Sequence, residues 1–200
     1  MSSGTDLSCV RKRQLHAFTN LILPSVFALV LAIGCRQSTS RKAERECQER
    51  SHFVKGQILT GKVVKVIDGD TVHLADSTNM LHKIRLQTID APESNQAFGF
   101  EAKQDLERAI LNKEVTVQYD AVDRYCRIVG KVLINQRDVC LEQIRAGMAW
   151  HEKRYEKEQT AEDRDSYTNA EDDARASRRG LWRDPNPIDP YEFRHEKGQR

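Results

Sequence analysis

The sequence predicts an α+β fold in which three helices pack beside a small five-stranded β-barrel. The first observation is the order of residue patterns along the chain: three strands, one helix, two strands and then two helices. The second is length and composition, because 200 residues with 38% hydrophobic and 31% charged side chains are enough for one soluble core. The barrel domain is expected over residues 56–184, with an extension on each side.

The strands are predicted from runs of β-branched and apolar residues that are separated by turn signals. The first run is rich in Val and Ile, and Asp68-Gly69 directly after it is a strong signal for a tight turn. Leu81, Ile84 and Leu86 mark the third strand. The five predicted strands are residues 58–67, 71–74, 80–86, 115–117 and 128–134.

The three helices are predicted from apolar spacings of three and four residues and from signals at their ends. The first, over residues 98–111, has its apolar positions on one face. Asp138 can cap the second helix, residues 139–146, and Gly147 can end it. The third, residues 161–179, is acidic early and basic late, as the helix dipole prefers.

The segments on either side of these elements have different expected structures. Gly180 is a natural stop after the third helix, and Leu181 and Trp182 are expected to fold back onto the core. Three prolines then predict an irregular tail over residues 185–200. Residues 36–55 are polar and charged and are predicted to be a tether, the alternative being a short helix packed on the domain.

The N-terminal segment has the features of an export signal. Basic residues at 11–13 precede a mostly apolar run at 17–33, and Cys35 follows soon afterwards. Residues 31–35, Leu-Ala-Ile-Gly-Cys, resemble a bacterial lipobox, in which Cys35 would be lipidated and become the mature N-terminus. The alternative is an uncleaved anchor, although this run is at the short limit for a membrane span. The sequence therefore favours a membrane-anchored lipoprotein of the cell envelope, or else a secreted protein.

The net charge of the residues after the signal segment excludes attraction of nucleic acid by an overall positive charge. Residues 35–200 carry 29 basic and 29 acidic side chains, so their net charge is zero. A protein without net positive charge has no global field that attracts phosphate. Any attraction of nucleic acid must therefore be local.

Five charged residues at three places in the barrel region form a set suited to attack on a phosphodiester. Asp70 follows the predicted tight turn, Arg85, Asp90 and Glu93 come close together in the next segment, and Arg127 ends an Asp-Arg-Tyr-Cys-Arg run. Each of them alone has an ordinary interpretation, such as a hairpin turn or a solvated loop charge. Their joint occurrence in this order favours a catalytic site.

The residue types indicate a role for each member of this set. Asp70 and Asp90 supply hard oxygen ligands for calcium or magnesium and leave coordination positions for water and substrate. Glu93 is the candidate general base for a water molecule, the alternative being that it only begins a helix. Arg85 and Arg127 can each donate two parallel hydrogen bonds to phosphate oxygens, which a lysine cannot do.

Five segments of the chain occur in an order and spacing that a known family shares. They are residues 66–71, 85–93, 123–127, 144–149 and 180–182. From about residue 61 to residue 182 the chain resembles the staphylococcal-nuclease-like (thermonuclease) family. The resemblance implies an OB-fold barrel and calcium-dependent cleavage of DNA or RNA that leaves 3′-phosphates. It also implies that the backbone carbonyl of Ala91 is a third protein ligand of the ion.

Cys126 departs from the pattern of that family, which usually has glycine immediately before the second arginine. If the backbone has a positive φ there, a Cβ atom is strained and Arg127 is displaced. A disulfide from Cys126 to Cys140 or to Cys47 would be a compensation. Fewer than three of these cysteines are then expected to be free thiols in an exported protein.

The favoured function is an exported, calcium-dependent, sugar-nonspecific nuclease that acts as a monomer on DNA or RNA. Glu93 would be its base, and Arg85 and Arg127 would hold the phosphate. The alternative is a catalytically silent OB-type module that binds nucleic acid or a protein partner, and such a module typically lacks the acidic and arginine positions. Tyr125 and Tyr155 are candidates to stack on a nucleotide, the alternative being packing at the barrel rim.

Overall fold

A computed structural model describes residues 56–197, and the predicted signal segment and tether lie outside these residues. Within this range, no helix has both the length and the apolar character that crossing a membrane requires. The strands are β1 (Gln57–Val66), β2 (Thr71–Ala75), β3 (Leu81–Leu86), β4 (Ile89–Asp90), β5 (Glu114–Val122), β6 (Ile128–Ile134), β7 (Arg137–Asp138) and β8 (Trp150–His151). The α-helices are α1 (Gly99–Ile110), α2 (Val139–Arg145), α3 (Ala161–Ala176) and α4 (Pro190–Lys197).

Five of the strands close into a barrel, which confirms the predicted fold class. β1 pairs antiparallel with β2 and with β5, β2 pairs with β3, and β5 pairs with β6. A parallel pairing between β3 and β6, with Arg85 opposite Val129, completes the ring. The two-residue strand β7 extends the β6 edge, and β4 pairs separately with β8. The result is an OB-type barrel with helices packed beside it.

The barrel interior is filled by every second residue of its strands. Val72 and Leu74 of β2, and Ile84 and Leu86 of β3, are almost fully buried. Because successive side chains of a strand point to opposite faces, the residues between them face outwards. Arg85 therefore lies on the outer face of the barrel.

The helices keep close to their predicted bounds and bury the expected faces. In α1 the buried apolar residues are Ala102, Leu106 and Ile110. The Asp138 carboxylate accepts hydrogen bonds from backbone N–H groups in the first turn of α2, as a capping residue does. Tyr167 of α3 donates its hydroxyl proton to the same carboxylate over 2.7 Å, so α2 and α3 are joined at this end.

The turn after α3 is attached to the end of α2. The N–H of Leu181 donates to the carbonyl of Gly147 over 2.8 Å. A Cβ atom at Gly147 would lie 2.2 Å from the carbonyl oxygen of Arg179, so only glycine fits there. Leu181 and Trp182 are buried, and the Trp182 ring packs edge-on against Trp150. This confirms the prediction that the residues after the third helix fold back onto the core.

Two predictions at the C-terminal end are wrong. α3 ends at Ala176 and not at residue 179, because Arg178 has a φ of 48°, which no right-handed helix contains. The tail that was expected to be irregular contains α4, which begins at Pro190. Proline is favourable at a helix start, and the Asp189 carboxylate accepts a hydrogen bond from the N–H of Tyr191 over 2.7 Å. This additional helix brings side chains to the candidate site.

Candidate active site

Asp70 and Asp90, the two predicted cation ligands, come together at one end of the barrel. Asp70 directly precedes β2, and Asp90 is the last residue of β4. Both are buried, with exposed fractions of 6% and 2%. The N–H of Ala91 donates to Oδ2 of Asp70 over 2.8 Å and so joins the two segments.

Arg85 links the two carboxylates. Its Nη1 lies 3.1 Å from Oδ2 of Asp70, and its Nη2 lies 3.0 Å from Oδ1 of Asp90. Nη1 also donates to the carbonyl of Leu86 over 2.9 Å, which restrains the guanidinium at the end of β3. A planar, permanently charged group is thus held between two buried acids.

The turn that carries Asp70 packs closely because residue 69 is glycine. A Cβ atom at Gly69 would lie 2.6 Å from the Cβ of Ala91 and 2.8 Å from the Cβ of Ala102. Buried Gln143 of α2 donates through Nε2 to the carbonyl of Gly69 over 3.0 Å and to that of Ala102 over 3.3 Å. Two helices and the loop after β4 therefore determine where Asp70 lies.

Burial raises the pKa of both carboxylic acids. The pKa of Asp70 rises from 3.8 to about 6, because loss of solvation outweighs the effect of the Arg85 charge. Burial also raises the pKa of Asp90, although a hydrogen bond from Arg194 and the charge of Arg85 oppose the change. A divalent cation bound between two such carboxylates would stabilise their ionised forms.

The donor atoms at this end of the barrel fit a hard cation with few protein ligands. Residues 56–197 contain no group of three or more His, Cys, Asp or Glu side chains that could hold a metal ion. The two aspartates and the backbone carbonyl of Ala91 offer oxygen atoms only, which is the ligand type that calcium and magnesium prefer. A cation held by so few protein atoms would keep positions for water and substrate.

Glu93 lies on the loop that follows Asp90. Its N–H donates to Oε1 of Gln96 over 3.0 Å, and the loop then leads into α1. Its side chain is partly exposed, and Oε1 accepts a hydrogen bond from Nη1 of Arg194 over 2.6 Å. The structure therefore brings the candidate base to the edge of the aspartate pair.

Arg127 lies at the end of the turn between β5 and β6. Its neighbour Ile128 pairs with Ile84, the residue before Arg85, so both predicted arginines are at the same end of the barrel. The Nε of Arg127 donates to Oδ2 of Asp123 over 2.7 Å. In the part of the chain that the structure describes, Arg127 forms no ion pair with the two buried aspartates.

Cys126 has the backbone conformation that glycine favours, with a φ of 60°. Its N–H donates to the carbonyl of Asp123 over 2.9 Å, so the turn is closed despite the Cβ atom. Cys126 is disulfide-bonded. The predicted pairing with Cys140 is wrong, because Cys140 is a free thiol inside the core. The other candidate partner, Cys47, lies outside the described residues.

Two further arginines, which are not among the predicted site residues, reach Asp90. Arg194 of α4 donates to Oδ1 over 3.3 Å and to Oδ2 over 2.9 Å. Arg154 has its Nη2 3.7 Å from Oδ2 and also pairs with the carboxylate of Glu152. No local motif marks either arginine, and only Pro190 as a helix start could have indicated an ordered tail.

Tyr125 and Tyr155, the two candidate stacking residues, are exposed. Tyr125 has an exposed fraction of 61% and Tyr155 of 54%, so neither packs into the barrel rim. The guanidinium carbons of Arg124 and Arg127 lie 5.1 and 5.4 Å from the Tyr125 ring centroid. Tyr125 is therefore beside the second predicted arginine and accessible to a nucleotide base.

The chain matches one protein family and several bacterial proteins. A family model described as "Staphylococcal nuclease homologue" matches residues 83–184. An uncharacterized endonuclease of Haemophilus influenzae is 37% identical over 138 residues, which are 69% of this chain and 74% of that protein. The Shigella flexneri protein named micrococcal nuclease is 36% identical over 146 residues, covering 67% of this chain and 79% of its own. The protein named ParB of Escherichia coli is 36% identical over 151 residues, 71% of this chain and 82% of that protein.

These matches show that the chain is a nuclease, an enzyme that hydrolyses phosphodiester bonds. The closed barrel and the aspartate pair joined by an arginine agree with this class. The prediction of an enzyme is thereby confirmed, and the alternative of a silent binding module is set aside. The chain belongs to the staphylococcal nuclease family.

Proposed function

We propose that this nuclease is calcium-dependent and sugar-nonspecific and that it cleaves DNA and RNA to leave 3′-phosphates. The observation that carries the proposal is the Arg85 guanidinium held within 3.1 Å of Asp70 and 3.0 Å of Asp90. If Asp70 and Asp90 hold the metal ion, the Arg85 guanidinium can donate hydrogen bonds to a phosphate beside that ion. The full set of proposed catalytic residues comes from one chain, which supports action as a monomer.

The proposed reaction is attack of water on phosphorus. Glu93 accepts a proton from the attacking water, and the bond from phosphorus to the 5′ oxygen breaks. The leaving oxygen takes up a proton from solvent, and the phosphate stays on the 3′ oxygen. Arg85 and Arg127 donate hydrogen bonds to the remaining phosphate oxygens, whose negative charge rises as water adds.

Asp70, Asp90 and the carbonyl of Ala91 would hold the calcium ion. When bound there, the ion would supply positive charge that stabilises the phosphate as it becomes more negative. The buried, hydrogen-bonded setting of both aspartates fits this role, because Thr71 and the N–H of Ala91 donate to Asp70 and fix its orientation. Two carboxylates and one carbonyl would leave the remaining coordination positions of the ion to water and substrate.

A row of basic residues supports a path for the substrate backbone towards Arg85. Lys65 of β1 pairs with His73 of β2, which pairs with Lys83 of β3. These side chains share the outer face with Arg85, because residues two apart on a strand point the same way. Burial lowers the pKa of His73, and the charges of Lys65 and Lys83 lower it further. We call these three residues the basic row.

Residues 35–200 have no net charge, so phosphate must be attracted by a local group of positive side chains. The basic row would be such a group. Lys65 and Lys83 are exposed. Within residues 56–197 neither of them forms an ion pair, whereas Lys131 is bound by Asp138 and Asp163. Unpaired lysines are available to neutralise phosphates and release counterions.

The location that we propose is the cell envelope, with the chain attached by a lipid at Cys35. The support is the basic, apolar and small-residue order of residues 11–35. Radiolabelled palmitate supplied to a bacterium that expresses the chain would be incorporated into the wild type. Incorporation that survives Cys35→Ser would contradict this part of the proposal.

The test of the catalytic proposal uses the full chain purified in detergent, with single-stranded DNA and RNA as substrates. Cleavage is expected with calcium and not with chelator, and the products should carry 3′-phosphates. Glu93→Gln should lower kcat by about 10²-fold or more, since a positioned base contributes about 10²–10⁴-fold. Glu101→Gln, an exposed position in the first turn of α1, is the matched control and should cleave normally. Equal cleavage by Glu93→Gln would overturn the assignment of the base.

A further inference from the structure

The segment after the last core residues crosses the candidate active site. We call residues 184–197 the C-terminal strap. Gln96, on the loop before α1, donates through Nε2 to the carbonyl of Ile188 over 2.6 Å. The guanidinium of Arg154 stacks on the ring of Tyr191, with its carbon 3.8 Å from the ring centroid. Arg194 makes the third contact, and it is the one that reaches the proposed catalytic groups.

Arg194 donates hydrogen bonds to both Asp90 and Glu93. Its Nη1 and Nη2 donate to Oδ1 and Oδ2 of Asp90 over 3.3 and 2.9 Å. Nη1 also donates to Oε1 of Glu93 over 2.6 Å. Both oxygens of a proposed calcium ligand and one oxygen of the proposed base are therefore engaged by a single guanidinium.

The strap contacts the site through polar groups and lies outside the apolar core. The buried apolar clusters of residues 56–197 contain no residue after Trp182. Ile188 and Tyr191 of the strap are nearly half exposed, at 44% and 43%, whereas Phe193 is partly buried and Pro190 is buried. An isolated helix as short as α4 is marginal in water, so its order depends on these contacts. Segments with few buried apolar contacts open at low free-energy cost.

We propose that the C-terminal strap is an autoinhibitory segment, in which Arg194 competes with calcium for Asp90 and covers Glu93. This inference rests on the roles proposed above for those two residues. Arg85 and Arg154 also contact Asp90, but Arg194 is the guanidinium that donates to both of its oxygens. A divalent cation at Asp90 would therefore have to displace Arg194, because the two positive groups repel each other. Water also cannot form a hydrogen bond to the Glu93 oxygen in the direction that Arg194 occupies.

We call the strap closed when Arg194 contacts Asp90 and open when it does not. Because of the competition, the apparent affinity for calcium depends on the fraction of molecules in which the strap is closed. If the closed state binds the ion weakly, the apparent dissociation constant is the intrinsic one divided by the open fraction. Calcium and the strap then act in opposition: saturating calcium opens the strap, and loss of Arg194 strengthens calcium binding. Both effects can be measured without an activity assay.

The first measurement is calcium binding by isothermal titration calorimetry on the full chain in detergent. Arg194→Gln removes the charge and the paired hydrogen bonds, and we expect it to bind calcium about tenfold more tightly than the wild type. Arg194→Lys should give an intermediate affinity, because an ammonium cannot span both oxygens. Arg108→Gln is the matched control, since it also removes one positive charge but from an exposed pair on α1. Equal affinity of Arg194→Gln and wild type, or weaker binding by the variant, would overturn the proposal.

The second measurement is hydrogen exchange of the strap amides. In the wild type, calcium at a concentration shown by calorimetry to saturate the site should speed exchange over residues 190–197 while the barrel strands stay protected. Unchanged exchange in that range would overturn the proposal even if the variant binds calcium more tightly.

The outcomes separate this inference from the proposed function. Calcium-dependent cleavage with equal calcium affinity in wild type and Arg194→Gln would retain the function and reject the autoinhibition. An absence of both calcium binding and cleavage in every variant would reject the two together. Tighter binding by Arg194→Gln, with faster strap exchange in calcium, would support the autoinhibitory strap.

Discussion

Asp123 holds Arg127 by two hydrogen bonds, one from the backbone N–H to Oδ1 over 2.9 Å and one from Nε to Oδ2 over 2.7 Å. The same carboxylate accepts a hydrogen bond from the N–H of Tyr125 over 2.9 Å. One aspartate therefore both shapes the turn between β5 and β6 and orients the guanidinium that follows it. Arg127 is positioned through this turn, and within residues 56–197 its terminal nitrogens form no hydrogen bond or ion pair.

Asp123→Asn should lower kcat about tenfold with little change in KM. The asparagine oxygen can still accept from the backbone, but the amide nitrogen cannot accept from Nε, so Arg127 loses its restraint. Steady-state kinetics on single-stranded DNA with calcium measure the effect. Asp105→Asn removes an exposed pair with Arg108 and should not change kcat. Wild-type kcat in Asp123→Asn would show that the turn does not position Arg127.

Arg85→Lys should lower kcat by about 10²–10³-fold, because one preorganised donor is lost at the transition state. The lysine keeps a positive charge but cannot contact Asp70, Asp90 and a phosphate in one plane. Single-turnover cleavage rates give the effect on chemistry, with Arg108→Lys as the control. A loss of less than about fivefold would indicate that Arg85 has mainly a structural role.

Removal of two charges from the basic row should weaken binding of nucleic acid and reduce its dependence on salt. For Lys65→Gln/Lys83→Gln, the slope of log affinity against log salt should fall by about 1.4 for single-stranded DNA, since each phosphate contact contributes about 0.7. Binding is measured with the Glu93→Gln background, so that the substrate stays intact. The pair Lys103→Gln/Lys157→Gln removes the same charge elsewhere. An equal decrease in that pair would mean that only total charge matters.

Gly69→Ala should destabilise the protein by about 1–3 kcal/mol, because its Cβ would overlap two side chains. The contacts are 2.6 Å to the Cβ of Ala91 and 2.8 Å to the Cβ of Ala102. Urea denaturation of Gly69→Ala, Ala91→Gly and the double variant measures the coupling. The double variant should recover part of the loss, since the nearer contact is removed. Strictly additive losses would contradict this account of the turn.

Thiol labelling tests the state of the cysteines. In denatured but non-reduced protein, Cys140 should react and Cys126 should not, because the first is free and the second is disulfide-bonded. Reductant before labelling should make Cys126 reactive. Fewer than three of Cys47, Cys126 and Cys140 are thus expected to label without reductant. Labelling of all three would exclude a disulfide among them.

Much of the barrel and part of the site could be predicted because their signals are local. β-branched runs, the Asp-Gly turn and helix caps act between residues that are near in sequence, and the predicted bounds of the strand at 128–134 match β6. Asp70, Arg85 and Asp90 could be named because each follows or lies in such an element. β5 is longer than the predicted strand at 115–117, because the alternation of polar and apolar residues continues beyond Val117 through Gln118, Tyr119 and Asp120.

The fold class, the order of the barrel strands and the types of charged residue at one end of the barrel follow from the sequence alone. The tertiary structure adds that one guanidinium joins Asp70 to Asp90 and that Arg194 contacts Asp90 across 104 positions of the chain. Such contacts depend on how elements dock, and the free energy of an ion pair depends on burial that no local pattern reports. For that reason the sequence predicts an irregular tail where the structure has α4, a short helix that contacts the candidate site.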